Sequence, residues 1–266
     1  MRYSPGMSTA LITGASSGIG EAFARALAGR GQDLVLVARS AGRLEALAAE
    51  LTAAHGIRAD VIAANLADPS SPDAVVAELR ARSIEIDTLV NNAGFGTHGE
   101  FADLDPRRER DEVVVNVYAP VALTRALLPG MVARRSGAIV HVASTAAFQP
   151  LPYMATYGAT KAFLLSFGEA LAEEVRPHGV RVVVLCPGQT DTAFFAGIDE
   201  ARVGRARTTE QVVATALRAL ERGRVVVVDG VANYALANMN RFAPRRLVAR
   251  LAARVQRPTA VKKTSP

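Results

Sequence analysis

Ala10-Leu11-Ile12-Thr13 is a short apolar run, and Gly14-Ala15-Ser16-Ser17-Gly18-Ile19-Gly20 carries it through three glycines into the amphipathic stretch Glu21-Ala22-Phe23-Ala24-Arg25-Ala26-Leu27. Glycine permits a tight turn and a close approach of backbone to a ligand. The helix start behind it offers free N–H groups and a positive dipole end to a pyrophosphate. The spacing is G-x-x-x-G-x-G, different from the general G-x-G-x-x-G dinucleotide fingerprint. A lone glycine turn is often only a connection, so its meaning depends on the chain around it.

That chain alternates regularly. β-like runs at 10–13, 34–38, 58–63, 88–91, 138–143, 181–186 and 225–228 are separated by helix-length stretches rich in Ala, Leu and charge. Several runs are nearly continuous Val, Ile and Leu, as in strands covered on both faces. Such alternation implies right-handed crossovers and a parallel sheet. The expectation is a single doubly wound, Rossmann-type α/β domain of about seven strands with helices on both faces, binding its ligand where the strands end. Residues 1–7 read as a flexible N-terminus, 8–229 as the catalytic domain and 230–266 as a basic C-terminal helix and tail.

The composition sets limits. The chain has 266 residues, half of them hydrophobic, enough for a large core. A single cysteine, Cys186, excludes a disulfide framework and a multi-thiolate zinc site. The first seven residues lack the build of a secretion signal, and no uncharged apolar run reaches the roughly 18 residues of a membrane span. A cytoplasmic location is the expectation, with Met7 as an alternative start. The net charge of +6 is concentrated at one end, since residues 230–266 hold eight basic side chains and no acid. The high isoelectric point therefore reflects a tail and not a basic surface suited to nucleic acid.

Beyond the glycine turn come Asn91-Asn92-Ala93-Gly94, Asn116, Ser144, Tyr157-Gly158-Ala159-Thr160-Lys161 and Pro187-Gly188-Gln189-Thr190-Asp191-Thr192. In this order and spacing the chain resembles the classical short-chain dehydrogenases/reductases over roughly 8–228. The resemblance implies a nicotinamide dinucleotide held by Gly14, Ser16, Ser17, Gly18, Ile19 and Gly20, with Asn65 and Leu66 flanking the adenine. Asn91, Ala93 and Gly94 would line the ribose side and stabilise the central strand. Pro187, Gly188, Thr190 and Thr192 would hold the nicotinamide carboxamide. It also implies pairing into a homodimer or homotetramer through the helix that carries Tyr157 and Lys161.

Arg39 and Ser40 end the second apolar run, with Arg43 close behind. An acid here would bind the ribose 2′-OH, whereas Arg suits a 2′-phosphate through charge-assisted hydrogen bonds. NADP(H) is therefore favoured over NAD(H). Two features work against this: Ser16 and Ser17 stand where many NADP-preferring relatives carry a second basic residue, and Glu45 is near enough to quench part of the field.

The chain writes 28 of its 31 basic residues as Arg, and Lys161 is the only lysine outside the tail. A compact ammonium can bind ribose hydroxyls and lower the pKa of a nearby phenol, a task unsuited to guanidinium. Tyr157 lies one helical turn earlier on the same face. A carbonyl that accepts hydride needs a proton, which Tyr157 would supply, while Ser144 donates a second hydrogen bond to the substrate oxygen. By resemblance Asn116 completes the set by holding a water beside Lys161. Ser144 and Tyr157 are thus the substrate contacts, and no metal is expected.

Phe194, Phe195 and Ile198, with Phe95, His98, Phe148, Leu151 and Tyr153, suggest a lipophilic pocket under a lid. They fit equally a loop tacked down by apolar side chains. Thr208-Thr209-Glu210-Gln211 reads as a helix start. In the tail, Leu247, Val248, Leu251 and Val255 form one helical stripe beside an arginine face. That stripe suits docking on the chain's own body, or peripheral contact with a membrane or acidic partner. The leading function is NADP(H)-dependent transfer of hydride between nicotinamide and a carbonyl or secondary alcohol of a lipophilic substrate such as a ketone, 3-oxoacyl compound or steroid. The alternatives are an NADP(H)-binding regulator without turnover, and an epimerase or dehydratase on the same fold.

Overall fold

The central apolar runs become strands buried on both faces, and all five residues of β1 (Thr9–Thr13) are buried. With β2 (Asp33–Ala38), β3 (Ala59–Ala63), β4 (Thr88–Asn91), β5 (Gly137–Val142), β6 (Val180–Cys186) and β7 (Val226–Val228) it forms one sheet in the order β3-β2-β1-β4-β5-β6-β7. Every neighbouring pair is parallel. The computed structural model describes residues 8–192, 206–239 and 243–258. Strand order reverses between β1 and β4, and a ligand crevice opens at such a switch point.

Strand residues alternate between two cores. Ala10 and Ile12 join Leu34 and Leu36 on one face, under α1 (Gly18–Ala28), α2 (Ala41–His55) and α7 (Thr209–Glu221). Leu11, Val35 and Val37 join the other, under α3 (Ser71–Ala81), α5 (Ala119–Arg134) and α6 (Ala155–Val175). Thr208 caps α7, and both arms of its capping box with Gln211 are formed.

Asp105 caps α4 (Pro106–Val113), which continues through a π-helical turn, Val114–Tyr118, into α5. This path is long and apolar enough to cross a membrane, yet it places Asn116 and Glu112 in the interior with no exposed surface. We therefore assign it to the body of the domain. The chain ends with α8 (Val231–Met239) and α9 (Arg245–Gln256).

Phe194, Phe195 and Ile198, the expected lid residues, lie outside the described residues, as do the N-terminus 1–7 and Lys262 and Lys263 of the tail. The chain on either side of 193–205 is tied together. Thr190 and Arg207 form a parallel β-bridge. Arg207 also grips Asp229 with two hydrogen bonds, at 2.8 and 3.1 Å, and Asp229 accepts a third from Thr215 Oγ1 at 2.6 Å.

Candidate active site

A cleft of about 730 Å³ opens at the carboxyl ends of the central strands. Its floor is the glycine turn. Gly14 adopts φ +66, and a Cβ there would stand 2.9 Å from the Ala93 Cα. The turn is pinned by Gly14 N–H donating to Val37 O at 2.8 Å and by Asn92 Nδ2 donating to Thr13 O at 2.9 Å. Ser17 occupies the N-cap of α1 without forming a capping hydrogen bond, leaving the first-turn amides for another acceptor. An open glycine cradle at an uncapped helix start fits a pyrophosphate.

Ser16, Ser17, Gly18 and Ile19 line this cleft with Gly14, but Gly20 does not. Gly20 is buried, and a Cβ on it would lie 2.2 Å from the Gly14 carbonyl oxygen, so its role is steric: it lets α1 close against the turn. Arg39, Ser40 and Arg43 line the far end, and Arg39 and Ser40 are exposed. No carboxylate among the described residues, Glu45 included, forms an ion pair with Arg39 or Arg43. Asn65 and Leu66 lie on the same wall, where Asn65 Oδ1 accepts from Ala67 N at 3.3 Å and shapes the turn.

Asn91 steadies the central strand as expected but does not line the cleft. Strand alternation turns it away from the cleft, where it is buried and donates through Nδ2 to Thr124 Oγ1 at 3.1 Å and to His141 Nδ1 at 3.3 Å. It braces β4 against β5 and α5, and Asn92 lines the cleft instead. His141 can accept this bond because burial pushes its pKa down to about 4 and keeps the ring neutral. Ala93 and Gly94 line the cleft as expected. A Cβ on Gly94 would fall 3.0 Å from Asn116 Oδ1 and 3.3 Å from Lys161 Nζ, so glycine leaves both groups room.

Tyr157 and Lys161 reach the cleft from one face of α6, both largely buried. Lys161 Nζ stands 5.7 Å from the Tyr157 ring centre and donates to Val142 O at 2.8 Å. Ser144 is hydrogen-bonded to Tyr157 and also caps the short 3-10 turn Thr145–Phe148, accepting from Ala146 N at 3.1 Å. Asn116 sits in the π-helical turn, whose extra residue per turn rotates it inward. Its Nδ2 donates to Phe95 O at 2.9 Å and to Thr160 Oγ1 at 3.0 Å, and its Oδ1 accepts from Phe95 N at 3.2 Å.

Burial, more than their mutual influence, sets the two ionisable groups. It pushes the Tyr157 phenol up to about 12, against the opposing hydrogen bond from Ser144, and pulls Lys161 down to about 8. Desolvation opposes the lowering of the phenol expected from Lys161 and is the largest effect on it.

Pro187, Gly188, Thr190 and Thr192 form the opposite lip. A Cβ on Gly188 would lie 2.3 Å from Asn233 Nδ2, which itself donates to Asp229 O at 2.7 Å, so α8 seats this turn. The Thr192 methyl comes within 3.1 Å of where a Gly18 Cβ would be, facing the glycine turn across the cleft. Cys186 is buried and its thiol pushed up to about 12, the behaviour of an inert core residue.

The expected lipophilic residues are only partly brought together. Phe95 lines the cleft, with the Arg108 guanidinium 5.3 Å above its ring. Leu151 packs behind Tyr157 with Ala146 and Met154. Phe148 packs against the Ala143 and Leu164 cluster. His98 donates through Nε2 to Gln256 O at 2.8 Å, and the Tyr153 hydroxyl accepts from Arg257 Nε at 3.3 Å. Both therefore hold the end of α9 and do not line the cleft.

A carboxylate pair beside the site has no counterpart in the sequence reading. Glu112, fully buried, accepts from Thr97 N at 2.9 Å and contacts Thr97 Oγ1 at 2.8 Å. Glu109 contacts the same Thr97 hydroxyl and, through its other oxygen, the hydroxyl of Thr156, next to Tyr157. One hydroxyl proton cannot serve two carboxylates, so the second contact requires a proton on a carboxyl group. Burial pushes Glu112 up, and the Glu109 charge adds to it against the Thr97 bonds. Because the native pKa is raised, the cross-link is complete below the ordinary carboxylate range and weakens as pH rises through the raised value. Substrate KM is expected to rise about fivefold on the alkaline side, as like charges loosen the Thr97 loop. Glu112→Gln should flatten that rise, and an unchanged pH profile would show that the pair has no such role.

A family model for short chain dehydrogenase matches residues 8–203. The chain is 37% identical over 185 residues to a very-long-chain 3-oxoacyl-CoA reductase from Phaeosphaeria nodorum, which covers 68% of this chain and 54% of the relative. It is 32% identical over 243 residues to dehydrogenase/reductase SDR family member 7B from Bos taurus, covering 85% and 75%. The chain thus spans about half the length of the first of these relatives. Among solved structures, a short-chain dehydrogenase from Sphingobium yanoikuyae in complex with NADPH superposes with a TM-score of 0.81 at 33% identity, over 98% of both chains.

Proposed function

The chain belongs to the short-chain dehydrogenase family, and from that premise we propose that it transfers hydride between NADP(H) and a carbonyl or secondary alcohol of a lipophilic substrate, a ketone, 3-oxoacyl compound or steroid-like molecule. The observation that carries this reading is the convergence of Ser144, Tyr157 and Lys161 in a cleft floored by an uncapped glycine cradle. Bound there, the reduced nicotinamide would supply the hydride. The residues of the chain supply the rest. Ser144 and Tyr157 would grip the substrate oxygen, and Tyr157 would deliver the proton to it. Lys161, held by Val142 O, would bind ribose hydroxyls, and Asn116 would order a water beside Lys161.

The preference for NADP(H) rests on Arg39 and Arg43, free of acidic partners at the 2′ end of the cleft. A neighbour bound to NADPH supports the cofactor class. For the substrate, Phe95 offers apolar surface in the cleft, and the relatives' names point toward acyl and other lipophilic carbonyls. Homodimer or homotetramer formation is proposed through α6, whose Phe163 is 41% exposed.

The test is cofactor oxidation measured separately with NADPH and NADH against aliphatic, aromatic, steroid and 3-oxoacyl carbonyls. NADPH should be preferred, and Arg39→Ala should reduce that preference about tenfold to a hundredfold by removing a charge-assisted phosphate contact. Equal use of both cofactors by the parent chain would overturn the NADP(H) reading. NADPH binding without turnover on any carbonyl would favour a regulatory protein.

A further inference from the structure

α9 does not dock by the apolar stripe that its sequence displays. Val248 is buried at 7% exposure, and Ala249, Ala252, Ala253 and Gln256 are half-buried, so the helix lies on the body by a face of mostly small residues. Leu247, Leu251 and Val255 are left 48%, 50% and 56% exposed at i, i+4 and i+8. Beside them, at the same spacing, run Arg246, Arg250 and Arg254, all exposed and without an ion pair to any acid among the described residues. A ridge of branched aliphatics flanked by a ridge of guanidinium groups matches the boundary between acyl chains and anionic headgroups, where arginine stems lie along apolar surface and their charge stays in the polar layer.

We propose that the outer face of α9 is a docking surface for an anionic lipid bilayer. Charge selects this occupant. Residues 230–266 hold eight basic groups and no acid, while the rest of the chain is close to neutral at −2, so a second copy brings little net negative charge to match them. Two α9 faces set against each other would oppose arginine to arginine. α8, just before it, has no charged residue and exposes Val231 at 88%, Tyr234 at 59% and Leu236 at 53%, adding apolar area next to the arginine ridge in the chain. The C-terminal end of α9 is tied to the loop that follows Phe95 and Gly96 of the cleft. The end of α9 is held by His98 and Arg257 on Tyr153, in loops that border Phe95 and Leu151. The proposal does not depend on the reductase reading, since vesicle binding is measured without turnover.

The experiment is co-sedimentation of the full chain with vesicles of phosphatidylcholine alone and of phosphatidylcholine mixed with phosphatidylglycerol, at low and high salt. Binding should be at least tenfold stronger to the anionic vesicles and should fall with salt as charge is screened. Leu251→Ser, and separately Arg250→Glu with Arg254→Glu, should each weaken it by tenfold or more. Neither change touches the core, and an unaltered melting temperature and NADPH affinity would show that the variants are folded. Equal binding to both vesicle types, or equal binding by parent and variants, would overturn the proposal. A dimer lost on Leu251→Ser, with no vesicle binding, would likewise overturn it and assign the face to a second copy.

Discussion

Tyr157→Phe is expected to lower turnover about a thousandfold and to leave NADPH affinity within a few-fold of the parent chain. The ring is what packs with Ala146, Leu151 and Met154, and phenylalanine keeps it. Only the hydroxyl is lost. With the phenol pushed up to about 12 it is protonated throughout the neutral range and can donate to a developing alkoxide. Carbonyl reduction should therefore vary little with pH near neutrality, while alcohol oxidation, which needs the phenolate as base, should rise with pH. Paired pH profiles of kcat in the two directions check the sign. If the Phe variant keeps the parent rate, the proton comes from elsewhere and the reading of the site is wrong.

Gly20→Ala should be damaging by a different route, though the residue does not line the cleft. Its Cβ would have to occupy a point 2.2 Å from the Gly14 carbonyl oxygen and 2.5 Å from Asn92 Nδ2. The first of these is backbone, so the glycine turn itself must move. Overpacking of this kind costs about 1 to 3 kcal/mol, seen as a melting temperature lower by several degrees. NADPH affinity should fall at least about tenfold, because the displaced turn carries the amides expected to hold the pyrophosphate. Gly42→Ala is the control. That glycine lies in the first turn of α2 with nothing within 4 Å of its Cβ position, and the change should leave both quantities almost unaltered. Similar losses in the two variants would refute the steric argument.

The sheet was legible because its central strands are dense apolar runs that only burial on two faces explains; the runs at 88–91 and 181–186 fall on β4 and within β6. The glycine turn, Ser144, Tyr157 and Lys161 were legible because their chemistry depends on residue type at short spacing. Asn91 faces the core and Asn92 the cleft. At a strand end, parity decides whether a side chain faces the core or the cleft, and two consecutive asparagines do not reveal it. The Thr97–Glu109–Glu112–Thr156 cluster joins a loop to two helices, and no local pattern signals a contact made across such distances in sequence. In α9 a helical projection displays the apolar arc but not which arc the body covers. The alanines alone were a hint, since small residues permit the closest approach.

The bridge between Thr190 and Arg207, with Arg207 locked to Asp229, has a consequence for how such a protein can diversify. The two points where the described chain meets 193–205 are joined through β6, β7 and α7. Closing a loop between fixed ends grows costlier only slowly with its length. The bridge and the ion pair are made by residues outside 193–205, so an exchange of the intervening sequence would leave both partners of each in place, with Thr190 still on the lip of the cleft.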